Sequence, residues 1–180
     1  MAVFFQRGVA RKVALVAGPV LIGVPVALLT SGTAHGAELS CGGQPPVENV
    51  LVDGTSACGV RTDATSNAFA HALDAVAFAR AQVGGNAVGL AQGGAVAAAE
   101  TASGQVGALA FGHNAVSIVS PDPGAVAVAI SLAPGQTFVG TASEGVRCDA
   151  GAGLALNFTT GQSCLSDGTT AWRSGVVSPR

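Results

Sequence analysis

One hundred and eighty residues with a formal net charge of −2 are enough to bury the core of a single domain. Beyond residue 36 the balance is more acidic: ten Asp and Glu stand against five Arg and no Lys, a net charge of −5. Such a chain lacks the cationic footprint that holds nucleic acid or anionic lipid, and no nucleic-acid partner is expected.

The chain opens with Arg7, Arg11 and Lys12, continues as an uncharged run from Val13 to Leu29, and then turns small and polar from Thr30 to Ala37. That order is the order of a secretory signal peptide. Ala34 and Gly36 place the cut before Ala37, with cuts after Ala34 or after Ala37 as neighbouring alternatives. A retained membrane anchor fits less well. The run has 17 residues, short of the roughly 20 that cross a bilayer, and Gly18, Pro19, Gly23 and Pro25 weaken a helix there. Lipid attachment at Cys41 is opposed by Glu38, an acid where an aliphatic residue belongs. The expectation is a signal peptide at 1–36 and one exported domain at 37–180. That domain would be secreted or associated with the cell envelope, with no membrane span after cleavage.

Within the domain three zones follow. Residues 37–65 are loop-rich, with Gly42-Gly43, Pro45-Pro46, Cys41 and Cys58. Residues 66–133 are dominated by Ala, Gly and Val and hold no cysteine. Residues 134–180 contain Cys148, Cys164 and the single tryptophan, Trp172. Four cysteines in an exported chain read as two disulfides. Three pairings can be drawn. Cys41–Cys58 with Cys148–Cys164 is preferred because short loops close most easily. The two outer zones then become stapled caps around a repeat.

The repeat is a unit of Ala, bulky, small, bulky. It reads Ala68-Phe69-Ala70-His71, Ala75-Val76-Ala77-Phe78, Ala87-Val88-Gly89-Leu90 and Ala95-Val96-Ala97-Ala98. It returns at Ala108-Leu109-Ala110-Phe111, Ala115-Val116-Ser117-Ile118 and Ala125-Val126-Ala127-Val128, with weaker copies at Ala81 and Ala102. The step is about seven residues. Period two within each unit predicts strands with Ala on one face and bulky residues on the other. Gly93-Gly94, His113-Asn114 and Pro121-Asp122-Pro123-Gly124 supply turns. Stacked short strands at a fixed step describe a mainly β chain, a β-solenoid or β-roll with disulfide-stapled ends. Two steps would make a coil of about 14 residues. The bulky face is expected inside and the Ala face outside, where small side chains invite a homo-oligomer or a covering segment of the same chain. The alternative is an Ala-rich helix at 66–83, capped by Ser66 and ended by Gly84-Gly85, with a mixed α/β remainder.

Units such as Asn67-Ala68-Phe69-Ala70 and His113-Asn114-Ala115-Val116-Ser117 resemble the head repeats of trimeric autotransporter adhesins. The resemblance covers residues 66–130. It implies a left-handed parallel β-roll of short coils assembled as a trimer. The chain departs from that pattern in its four cysteines and in having no heptad stalk. As a whole it is similar to exported proteins of high-GC actinobacteria, a likeness that implies no activity.

No nucleophile elbow, Ser-x-x-Lys pair, His-Glu-x-x-His helix or Walker loop occurs. No catalytic residue, metal ligand or cofactor site is assigned. His71 takes a bulky slot and reads as a core or rim histidine, and His113 lies in a turn. Asp53, Asp63, Asp122 and Asp149 fall in loops without the spacing of a calcium loop. Asn157-Phe158-Thr159 matches a glycan acceptor, without meaning in a bacterial chain. Leu154, Leu156 and Phe158 alternate as one further strand, and Trp172 is expected to cover the end of the stack beside the disulfide, with partner binding as its other role. The leading functional expectation is a non-enzymatic structural or adhesive protein. The alternatives are a small secreted binding or inhibitory module acting through its end loops, and an enzyme of unrecognised type.

Overall fold

A computed structural model describes residues 36–175; the segment read as a signal peptide lies outside them apart from Gly36. Every regular element among the described residues is a strand. Three precede the repeat zone: β1 (Glu38–Cys41), β2 (Glu48–Asp53) and β3 (Ser56–Thr62). The repeat zone forms β4 (Asn67–Leu73), β5 (Val76–Ala81), β6 (Asn86–Gln92), β7 (Val96–Thr101), β8 (Gln105–Phe111), β9 (Val116–Val119) and β10 (Val126–Leu132). Five more complete the chain: β11 (Gln136–Val139), β12 (Val146–Asp149), β13 (Gly151–Asn157), β14 (Gln162–Gly168) and β15 (Ala171–Ser174). The tail thus holds several strands where one was expected, and the loop-rich 37–65 zone holds three.

From β3 to β11 successive strands alternate between two sheets. One runs β1-β4-β6-β8-β10-β13-β14-β15 and the other β12-β11-β9-β7-β5-β3-β2. Neighbours within the repeat zone are parallel, as in β4–β6–β8–β10 and β3–β5–β7–β9–β11. This is a β-solenoid of about four turns. The strand partners Asn67↔Asn86, Val76↔Val96 and Gln105↔Val126 set a coil of 19 to 21 residues. The coil of about 14 is therefore corrected. Ala68, Ala75 and Ala81 all fall within one coil, so the seven-residue step is a third of the true period.

The helix alternative at 66–83 gives way to β4 and β5. Asp74 between them has φ 47°, a left-handed corner that an α-helix does not contain. Each alanine also has a counterpart one coil away, such as Ala72 beside Ala91, and stacking overrides alanine's helix preference.

The assignment of faces is reversed. Alanine fills the space between the sheets: Ala70, Ala72, Ala79, Ala99, Ala108 and Ala129 are all fully buried. Phe69, Val76, Val88, Val96 and Val126 are about 40% exposed on the outside. The cause is the narrow gap. A Cβ placed on Gly89 of β6 would lie 2.5 Å from the Phe78 carbonyl oxygen of the opposite sheet. Along most of the inner rows only methyl groups, glycine and small hydroxyls fit, and isopropyl groups enter at a few places such as Val60, Val106, Val119 and Val139. Each methyl contributes only about 0.8 kcal/mol on burial, so stability comes from many alanines and from continuous hydrogen-bond ladders. Ser117, Ser131 and Thr137 extend the inner rows as a buried hydroxyl cluster. Ser131 Oγ lies 2.5 Å from the Val116 carbonyl oxygen and 2.6 Å from Thr137 Oγ1, which is 3.2 Å from Ser117 Oγ.

The two ends differ from the middle in being antiparallel. β1 pairs with β4 and β2 with β3 at one end; at the other, β12 pairs with β11, and β13, β14 and β15 follow β10. Cys41 of β1 is bonded to Cys58 of β3, and Cys148 of β12 to Cys164 of β14, with Cα atoms 5.7 and 6.0 Å apart. Each bond therefore crosses from one sheet to the other at one end of the stack. Such bonds suit an oxidising, extracytoplasmic environment.

Two outcomes follow from this packing. Gly89→Ala should lower stability by about 1–3 kcal/mol, because a backbone must move to admit the methyl. Gly107→Ala in the next strand should not, since its Cβ meets only Val128 and Leu109 side-chain atoms at 3.7 and 3.8 Å. Thermal unfolding of the two variants makes the comparison. Removing the terminal bond with paired Cys148→Ala and Cys164→Ala should cost about 3 kcal/mol in urea unfolding.

Candidate functional site

Outward side chains of parallel strands stack in rows along the solenoid. On the eight-stranded sheet the register lines up His71, Leu90, Leu109, Ile130, Leu154, Leu165 and Trp172 as one row. A second row passes through Phe69, Val88, Gly107, Val128 and Leu156. A third adds Leu73, Gln92, Phe111 and Leu132. The fourth, Asn67, Asn86 and Gln105, is an amide border, and the Asn67 amide donates to the Asn86 side-chain oxygen at 3.2 Å. The result is a broad apolar face whose charges, Glu38 of β1 and Asp167 of β14, lie towards its two ends.

The outer face of the seven-stranded sheet is less uniform. Val76, Val96 and Val116 form an apolar row, and Phe78, Ala98, Ile118 and Phe138 form another. Beside them runs a charged row of Glu48, Arg61, Arg80 and Glu100. Arg147 and Asp149 close the face at the C-terminal end.

Trp172 stands opposite Leu165 and is half exposed. It belongs to the apolar face and does not cover the stack beside the disulfide. The neighbouring Arg173, opposite Cys164 and 3.3 Å from Asp149, takes that place. His71 lies on the same face at its N-terminal end. Its Nδ1 is 2.8 Å from Ser40 Oγ, its Nε2 is 3.7 Å from Glu38, and its ring stacks beside Phe69. His113 sits at a corner on another part of the coil, so the two histidines are not brought together. Among the described residues no three His, Cys, Asp or Glu side chains converge as a metal site would require. No helix among them is long and apolar enough to cross a membrane. Asn157 is buried, and its side-chain oxygen accepts the backbone N–H groups of Thr159 and Thr160; this turn withholds it from glycan attachment.

The loop acids have structural work that the sequence reading did not assign to them. Asp63 Oδ2 accepts the Val83 N–H at 2.6 Å, and Asp122 Oδ2 accepts the Ala142 N–H at 2.7 Å. Each carboxylate clamps the corner one coil further on. The Val83 N–H, then the Ser66 hydroxyl and Thr65 N–H, hold the Asp63 carboxyl well below the usual carboxylate range. Backbone and hydroxyl donors of Thr141 lower the pKa of Glu144, and the Thr170 and Thr169 N–H groups lower that of Asp167. The unfolded chain binds protons at these sites more readily than the folded one. Their contribution is therefore complete above the ordinary carboxylate pKa and lost as pH falls through the depressed values. Urea midpoints should hold steady above about pH 5 and decline below about pH 4. Asp63→Asn should flatten part of that decline.

No curated protein and no solved structure matches the chain. A family model does match, over residues 5–167, a span that takes in every strand except β15 and the last residue of β14. The chain belongs to a family of unknown function, DUF6764.

Proposed function

We propose that this is a non-enzymatic exported protein, structural or adhesive, that works by presenting the outer face of its eight-stranded sheet at the cell envelope or outside the cell. The apolar face carries this reading. Monomeric soluble proteins rarely expose contiguous apolar patches beyond a few hundred Å² unless those patches make contacts. Export is supported by the two cross-sheet disulfides and by the basic, apolar, small-residue order of residues 1–37. The Ala37 carbonyl accepts the Asp74 N–H at 3.1 Å and the Ser56 hydroxyl at 2.7 Å. A cut before Ala37 would leave that anchorage of β1 intact.

The resemblance to adhesin heads fits the solenoid in kind, while the longer coil and antiparallel caps make it a separate design. The end loops offer a second reading, as a small binding module. It is favoured by a recess of about 140 Å³ lined by Glu144, Arg147, Gln162 and Arg173.

Two measurements test the proposal. Expressed from residue 1 in a secreting bacterium, the chain should be recovered from the envelope or medium at the mass of residues 37–180. Recovery in the cytosol at full mass would refute export. The purified domain should adsorb to methyl-terminated surfaces. Leu90→Asp should weaken that adsorption by at least about tenfold, given about 1.5–3 kcal/mol for a buried leucine. Loss on replacing the 141–145 corner, with Leu90→Asp harmless, would transfer the function to the end loops.

A further inference from the structure

We infer that the outer face of the eight-stranded sheet docks a second copy of this chain, face to face about a twofold axis. The inference rests on the reading above, that this face makes contacts, and it names the occupant in solution; adsorption reads the same face where the chain is dilute enough to be single.

The extent of the face is the first argument. Eight strands at about 4.8 Å spacing and about 20 Å of strand length give a footprint of roughly 700 Å². Each partner in a stable protein complex gives up about 800 Å², so one copy of this face against another reaches the size a dimer needs.

Chemistry narrows the occupant further. From β4 to β10 the outward residues are Phe, Leu, Val and Ile with Gly107, His71 and the amides of Asn67, Asn86, Gln92 and Gln105. No Lys or Arg stands among them to attract an anionic lipid or an acidic peptide, and no Asp or Glu to attract a basic one. A partner must be apolar and must carry its side chains in rows at strand spacing to interdigitate. A second copy of the same sheet meets both conditions, and a twofold axis brings identical rows together in an isologous contact. The seven-stranded face does not, because Arg61, Arg80 and Glu100 run along it and Arg147 and Asp149 close it.

The chain contains one tryptophan, and it lies in the proposed contact, which supplies a native probe. Residues 37–180, oxidised, are examined by sedimentation equilibrium from about 1 µM to about 100 µM, a range that brackets a micromolar Kd. The expected result is a rise to twice the chain mass, with the Trp172 emission shifting to the blue over the same range. Leu109→Asp should keep the single-chain mass throughout with an unchanged circular dichroism spectrum, while Ile118→Asp on the other sheet should still double. If Leu109→Asp does not fold, Phe69→Gln is read in its place.

A single-chain mass at every concentration overturns the inference. So does a doubled mass without a Trp172 shift, a threefold mass, or a dimer broken by Ile118→Asp and spared by Leu109→Asp. A monomer that still adsorbs to methyl surfaces removes the dimer and leaves the functional reading standing. A chain that neither pairs nor adsorbs removes both.

Discussion

The gap between the two sheets is one alanine side chain deep on each side, and the rest of the molecule depends on it. Because the backbones approach so closely, only methyl groups, glycine and small hydroxyls fit along most of the inner rows. Larger inner residues are few, such as Val60, Val119 and Val139 in the seven-stranded sheet and Val106 and Asn157 in the eight-stranded one. The large side chains have nowhere to go but outward. An interior this thin cannot draw much stabilisation from any one residue. The fold relies instead on repetition, on ladders that satisfy nearly every strand backbone group, and on covalent bonds where repetition stops.

The ends show how a repeating structure is brought to a halt. A parallel coil exposes an edge that could accept another strand. Here the closing strands are antiparallel, and β1, β12 and β15 have four residues each. The disulfides then hold the two sheets together at the points where no further coil does so. Between the ends, the corners are held by clamps such as Asp63 to Val83 and Asp122 to Ala142, each reaching 20 residues along the chain. The acidity of the chain is thus partly a property of its corners, where carboxylates accept backbone N–H groups.

Much of this was legible in the sequence. Period-two alternation with Gly and Asp punctuation was enough to give strands, corners and stacking, and loop length alone favoured the disulfide pairing that the structure has. Which face is inside was not decided by hydrophobicity, because bulky apolar residues ordinarily seek the interior. The decisive sign was subtler. Arg61, Arg80, Gln92, Glu100 and Gln105 share their alternation with Phe69, Phe78 and Val88, whereas the alternate positions hold Ala, Gly, Ser, Thr and Val and never a charge. Charged side chains mark the solvent face, so parity could have placed the alanines inside and drawn attention to the outer rows. The coil length is hidden for a related reason: the Ala-led unit recurs three times per coil, at Ala68, Ala75 and Ala81 in one of them, and a pattern at one third of the period looks like a period. The corner clamps were not visible, because a carboxylate that braces the next coil has no local signature.

Coil lengths of 19, 20 and 21 residues coexist in one stack, with the variation confined to the corners while the strand registers remain matched. An added or deleted residue at a corner is absorbed there; the same change inside a strand would invert every side chain beyond it. Growth by a whole coil disturbs neither terminus nor staple, since each new coil meets a neighbour identical in kind to the one it displaces. The architecture is therefore quantised in length. Divergence among chains built this way proceeds in two currencies, single residues at the corners and blocks of about 20 between the caps, and each added block lengthens the outer apolar rows by one strand while leaving their spacing unchanged.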